Sequence, residues 1–257
     1  MKYTTNLPTR RQVVVAVASA KGGVGKTSLS VLLSFAHASS GAPTLAVDLD
    51  SQASLTDYYL REEHPDSLVE SNTAHLLSER AGLDEVTRRD VREYLDIVPA
   101  APTLSAVGAD IASDPGAILR FRSSILDGGH DIVILDCPPS ISVEMRAAIY
   151  AADVILVPVA PDRWTVIGLT LLQREAARAA RATGRPARIL AVPTAVSPRE
   201  EEDIRAMLEG NVPLTKASLP RSASVRRAMS SGTLPSPRLL GQVYDLAAET
   251  ISGVRDE

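Results

Sequence analysis

Residues 13–37 restrict the fold more than any other stretch. Val13 to Ala18 is an apolar, β-branched run, Ser19-Ala-Lys-Gly-Gly-Val-Gly-Lys-Thr-Ser-Leu-Ser30 follows, and Leu29 to His37 has helical apolar spacing. Strand, glycine-rich loop and helix form the context in which such a loop binds phosphate. Gly22, Gly23 and Gly25 permit backbone angles and close approach that a side chain would block, so several N–H groups can point at one anion. The helix N-terminus adds unsatisfied donors and its positive dipole end. Lys26 can reach β- and γ-phosphates, and the Thr27 hydroxyl can ligate Mg²⁺. Residues Lys21, Gly22, Gly23, Val24, Gly25, Lys26, Thr27 and Ser28 are therefore the expected nucleotide-binding stretch.

Along the rest of the chain, short apolar runs alternate with helical stretches. The expected class is α/β, a mostly parallel twisted sheet with helices on both faces. Strands are expected at Val13–Ala18, Thr44–Val47, Tyr94–Val98, Asp131–Asp136, Val154–Pro158, Ile189–Pro193 and Leu214–Ala217. Residues 55–92 read as two or three surface helices, and a long helix is expected over Val166–Ala182. Residues 1–11 read as a flexible extension and 12–257 as one domain, since 257 residues with 45% apolar content can bury one sizeable core.

Two strands end in carboxylates. Asp136 closes Ile-Val-Ile-Leu and stands where ligands bind in open α/β sheets, the place for an aspartate that helps hold Mg²⁺ beside Thr27. Asp48 and Asp50 lie two residues apart after the second strand and could share one face. Capping of the following helix is the alternative role for Asp50.

The loop departs from the common phosphate-loop pattern in one respect: Ala20 replaces a glycine, and a second lysine, Lys21, follows. Lys-Gly-Gly-Val-Gly-Lys-Thr at 21–27 resembles the deviant Walker A motif of the ParA/MinD ATPases. Ile-Leu-Asp-Cys-Pro-Pro-Ser at 134–140 and Asp-Leu-Asp-Ser-Gln at 48–52 resemble that family's later signatures, with Ser51 where proline is usual. Val157 to Leu169 and Leu219-Pro-Arg-Ser-Ala-Ser-Val-Arg-Arg-Ala228 extend the resemblance, which runs from about residue 13 to 250. It implies ATP and Mg²⁺ as ligands, an ATP-sandwich homodimer and slow hydrolysis. Lys21 would reach the partner subunit's phosphates, Lys26 would act on its own, Asp48 would join the metal shell and Asp50 would position the water.

Branches of that family separate by what is missing. Cys137 is the only cysteine, which leaves no cysteine pair for an iron–sulfur bridge or a Cys-x-x-Cys site. No Asn-Lys-x-Asp guanine motif occurs. The C-terminus, Leu-Ala-Ala-Glu-Thr-Ile-Ser-Gly-Val-Arg-Asp-Glu257, is unsuited to anionic lipid, and no apolar run is long enough to span a bilayer. Met1 to Gln12 lacks the apolar core of a secretory signal, which suits a cytoplasmic protein.

The net charge of −4 conceals an asymmetry. Residues 44–120 hold fifteen acidic and six basic side chains, a difference of −9, whereas 163–238 hold thirteen basic and six acidic, a difference of +7. Arg174, Arg178 and Arg181 share one face of the long helix, and Arg221, Arg226 and Arg227 lie later. Without aromatic interleaving they suit phosphate contact on double-stranded DNA without sequence readout; a solvated helix face with Glu175 as local partner is the alternative. The combined expectation is a nucleoid-associated partition ATPase released from DNA when a ParB-like centromere-binding protein stimulates hydrolysis. A nucleoid-based positioner of another cargo and a MinD-like membrane regulator are the competing readings.

Overall fold

The computed structural model describes residues 11–112, 114, 116–252 and 254. In chain order the elements are β1 (Val13–Val17), α1 (Lys26–Ser39), β2 (Thr44–Asp48), four short helices α2 (Ser54–Tyr59), α3 (Pro65–Glu70), α4 (Thr73–Leu77) and α5 (Leu83–Val86), then β3 (Arg88–Arg92) and β4 (Leu95–Val98). They continue with α6 (Leu104–Ala112), α7 (Ala117–Leu126), β5 (Ile132–Asp136), α8 (Val143–Ala151), β6 (Val154–Val159), α9 (Arg163–Thr183) and β7 (Arg188–Val196). The chain closes with α10 (Pro198–Leu208), β8 (Leu219–Pro220), α11 (Ala223–Ser231) and α12 (Pro237–Ile251).

These strands form an eight-stranded sheet in the order β3-β4-β2-β5-β1-β6-β7-β8, with β3 antiparallel to β4 and the other pairs parallel. Alternation along β1 explains why both faces are covered. Val13, Val15 and Val17 pack with Leu29, Leu32 and Leu33 of α1 and with Val243 and Leu246 of α12. Val14 and Ala16 turn to the opposite face, where Phe121 of α7, Met145 of α8 and Leu172 of α9 meet them. Such a strand has no polar face, which is why its sequence is continuously apolar.

The sheet register sets the site. Asp136, the last residue of β5, pairs with Val17 at the end of β1 on one side and with Asp48 at the end of β2 on the other. The phosphate loop and both strand-end carboxylates thus meet at the C-terminal edge, where ligands bind in open α/β sheets.

Four expectations need correction. Residues 88–92 form a strand, not part of a surface helix; Arg-Arg-Asp-Val-Arg pairs at the sheet edge, where charged residues discourage further pairing and mask the strand pattern. The helix over 104–112 was not anticipated; Gly108 at its middle weakens the helical signal. The last strand is Leu219–Pro220, whereas Leu214 makes only a bridge to Ala191, and the Lys216 and Ala217 N–H groups bond the Glu249 carboxylate instead of the sheet. The long helix also starts earlier, at Arg163. Of the expected N-terminal extension, residues 1–10 lie outside the described residues, and Arg11 donates to the Val254 carbonyl at 3.3 Å.

Phe121 is 2% exposed in the core that α7 closes. Phe121→Ala is expected to lower unfolding stability by about 3–5 kcal/mol, seen as a lower urea midpoint at unchanged slope.

Candidate functional site

The loop after β1 turns through Gly23 at φ 73° and Gly25 at φ 89°, both in the left-handed region that favours glycine. Gly25 also lacks room for a side chain, since a Cβ there would lie 3.0 Å from Thr194 Cγ2. It caps α1 without a side-chain hydrogen bond, and no acidic residue occupies the first turn. The first-turn N–H groups are therefore available to an anion.

The two lysines take opposite paths. Lys26 is buried, and its Nζ donates to the Lys21 carbonyl at 2.9 Å, folding the ammonium over the loop. Burial lowers its pKa, while the Asp136 charge opposes that. The Lys21 side chain is 43% exposed and pairs with Asp162, just before α9 in the same subunit.

The Asp48 and Asp136 carboxyls are fully enclosed. Asp136 Oδ1 accepts from Ser30 Oγ of α1 at 2.8 Å, while Oδ2 is buried without a hydrogen-bond partner. Burial and the Asp48 charge push its pKa up to about 8, against the hydroxyls of Thr27 and Ser30 and the Lys26 ammonium. Asp48 Oδ2 accepts from the Thr56 N–H at 2.9 Å and the Thr56 hydroxyl at 2.8 Å, and Oδ1 accepts from the Asp50 N–H at 3.1 Å. Burial raises the Asp48 pKa to about 6 against these bonds. Asp48 thus does the capping that Asp50 was offered for: α2 follows the left-handed Ala53, and its third residue, Thr56, donates back to Asp48. Asp50 stays partly exposed, and its Oδ1 accepts from the Gln52 N–H at 3.0 Å.

A cleft of about 690 Å³ runs from Thr27 and Ser28 past Gln52 and Tyr58 to Arg226 and Met229 of α11. Side chains tie its two walls: Tyr58 Oη donates to the Thr233 carbonyl at 2.9 Å and Arg61 Nη1 to the Ser230 carbonyl at 2.8 Å. Tyr59 Oη bonds Ser34 Oγ at 2.8 Å, one turn along α1 from Ser30. Ser30, Ser34, Thr56 and the two tyrosines were missed in the sequence because hydroxyls on apolar faces carry no periodic signal; the Ser30–Ser34 spacing on α1 was the available clue.

The structure does not treat the arginines alike. Arg174 and Arg181 are exposed on α9 and have no acidic partner among the described residues, whereas Arg178 pairs with Glu175 at 3.0 Å. Arg221 is held by Glu200 at 2.9 Å. Arg226 and Arg227 are exposed on α11, with Arg226 also lining the cleft beside Thr27.

The enclosed carboxyls give a signed pH prediction for the ligand-free chain. Their folded pKa values lie above the unfolded value near ~3.9, so between about pH 4 and about 8 the folded state holds more protons, and stability falls as pH rises. Asp136→Asn is expected to resemble the wild type near pH 4 and to gain on it toward pH 8. Urea denaturation across that range tests this, and parallel pH profiles would contradict the assignment.

Comparisons with known proteins agree with this geometry. A family model described as an AAA domain matches residues 12–185. The chain is 30% identical to the chromosome partitioning protein ParA of Caulobacter vibrioides over 95% of both chains. It is 29% identical to the chromosome partitioning protein ParA of Myxococcus xanthus over 62% of this chain, a match that spans only 56% of that protein. Among solved structures, a putative plasmid partition protein of Borrelia burgdorferi bound to AMPPNP has TM-score 0.80 and 20% identity, covering 91% of this chain and 96% of that one. With the deviant loop at 21–27 and the carboxylate-ended strands beside it, the chain belongs to the ParA family of P-loop partition ATPases.

Proposed function

We propose that this chain binds ATP with Mg²⁺, closes on a second copy with nucleotide between the subunits, and hydrolyses it slowly until a ParB-like partner accelerates the step. The observation that carries this reading is the placement of Lys21. It is exposed at the mouth of the loop while Lys26 covers the loop from inside, so one lysine serves the chain's own phosphates and the other is presented outward. To act in trans, Lys21 must leave Asp162.

The residues fit a magnesium ion. Asp136 Oδ2 is a buried carboxylate oxygen without a donor, the Thr27 hydroxyl lies near it, and Asp48 stands beside it across the strand pair. Among the described residues no group of three or more His, Cys, Asp or Glu forms a metal cage, which suits an ion held by few protein ligands and by phosphates. Bound there, Mg²⁺ would neutralise charge developing on the phosphoryl oxygens. The chain's own parts then have distinct tasks. First-turn N–H groups and Lys26 hold phosphate charge in a site where burial strengthens electrostatics. Asp50, partly exposed and lightly engaged, orients the attacking water. Lys21→Ala is expected to retain nucleotide binding, lose ATP-dependent dimerisation and hydrolyse ATP ~10³-fold more slowly; light scattering with ATP would show a normal dimer if the sandwich is wrong.

Exposed arginines supply the second half of the function, non-specific binding to nucleoid DNA. Arg174 and Arg181 are the strongest α9 candidates because no carboxylate holds them, and dimerisation doubles the contacts one particle presents. No helix among the described residues is long and apolar enough to cross a membrane. Arg174→Glu with Arg181→Glu is expected to weaken binding alike for unrelated duplexes and to flatten the salt dependence by roughly 0.9 in log–log slope per lost contact, with hydrolysis retained. Gel shifts over a salt series check this, with Arg226→Glu/Arg227→Glu as the alternative patch. Unchanged binding in both would move the DNA surface elsewhere.

A further inference from the structure

Arginines gather at the end of the sheet opposite the nucleotide site. Arg11 stands two residues before β1, Asp153 directly before β6, and Arg188 is the first residue of β7, with Arg185 three positions earlier. These four side chains line a cavity of about 450 Å³ together with Ala152, Ala187 and Val254. The strands run five or six residues from here to the phosphate-loop end. At ~3.3 Å per residue the two ends are roughly 15 Å or more apart.

Charge in this cavity is unbalanced. Asp153 is its only carboxylate among the described residues. Asp153 Oδ2 accepts from the Val14 N–H at 3.0 Å, while Oδ1 meets Arg185 at 2.9 Å and Arg11 at 3.7 Å. Arg188 donates to the Ser252 carbonyl at 2.6 Å and has no acidic partner among the described residues. Arg122 of α7 stands near the group, also without one: burial lowers its pKa, the Arg185 charge adds to that, and the Asp153 charge opposes it. Four guanidinium groups against one carboxylate leave a formal excess of +3. One arginine would suffice to tie Asp153 in place, and further like charges beside it repel unless an anion shares them. The carboxylate lies deep, its side chain 9% exposed, whereas Arg185 is 44% and Arg11 43% exposed.

We propose that this cavity binds the diphosphate group of a small molecule, held by Arg11, Arg185 and Arg188, with Asp153 as the positioning residue behind them. Each guanidinium has five donors in a planar fork that matches phosphate oxygens, and the bond to Asp153 uses only part of the Arg185 set. A carboxylate fixed by a backbone N–H holds such a fork ready for its ligand. Diphosphate suits the excess charge better than a single phosphate, because its several charges and two sets of oxygens meet more than one guanidinium at once. The volume lies within the range of small-ligand pockets. Its concave shape favours a small anion over a DNA duplex, whose phosphates meet a protein along an extended surface. No residue of the nucleotide site lines the cavity, so the two sites can be occupied separately.

The test follows methyl NMR signals of the full wild-type chain as sodium diphosphate is added without Mg²⁺ at constant ionic strength. Saturable shifts are expected at Ala152, Ala187 and Val254, while Val24 reports any binding at the phosphate loop separately. Sodium chloride is expected to produce no saturable shift at these positions. Arg185→Gln with Arg188→Gln is expected to weaken the response at Ala152, Ala187 and Val254 at least about tenfold, as loss of charge-assisted bonds does, and to leave Val24 unchanged. Wild-type shifts confined to Val24, or an unaltered affinity in the double variant, would overturn the proposal. Shifts at the cavity with a short DNA duplex but none with diphosphate would also overturn it, making these arginines a DNA-phosphate surface.

Discussion

The structure depends on keeping two carboxyl groups side by side in a dry place. Asp48 and Asp136 are register partners on adjacent parallel strands, both fully enclosed, and their mutual repulsion adds to the burial that raises Asp136. Left alone, such a pair destabilises the fold. Here surrounding elements offset it: Ser30 donates from α1, Thr56 donates twice from α2, and Lys26 contributes opposite charge. The remaining imbalance is one oxygen of Asp136 without a donor, on a carboxyl that Thr27 and Lys26 of the phosphate loop influence. The site is thus built to be completed by a ligand.

That arrangement also explains why the region after β2 is broken into short helices. The N-terminus of α2 is held by Asp48 from outside its own segment, and its far end is tied to the C-terminal end of α11 through Tyr58 and Arg61. Tyr59 returns the same helix to α1 through Ser34. One six-residue helix therefore touches the carboxylate pair, the phosphate helix and the basic α11 together. Its bonds are few and mostly single, so it can shift more cheaply than the apolar sheet beneath it.

Charge is distributed to match. The acidic stretch forms the sheet edge at β3 and β4 and the short helices, whereas the basic stretch carries α9 and α11. Pairing then sorts the arginines: those with a carboxylate nearby are spent on the chain itself, and Arg174, Arg181 and Arg227 remain available.

By itself the sequence determined the phosphate loop, the parallel α/β architecture and the two strand-end aspartates. Each follows from strong local patterning: glycines at a turn, continuous apolar strands, and a carboxylate directly after such a strand. Tertiary structure alone decided what those carboxylates touch, because Thr56 and Ser30 reach them from separate elements and carry no local signal. It alone showed that Asp48, not Asp50, caps α2, since that bond spans eight residues across a loop. It placed a strand at 88–92, where edge exposure outweighs the helical look of the charges. Lys21 appears in the sequence as an extra loop cation, but its pairing with Asp162, 141 positions away, exists only once β1 and β6 lie side by side.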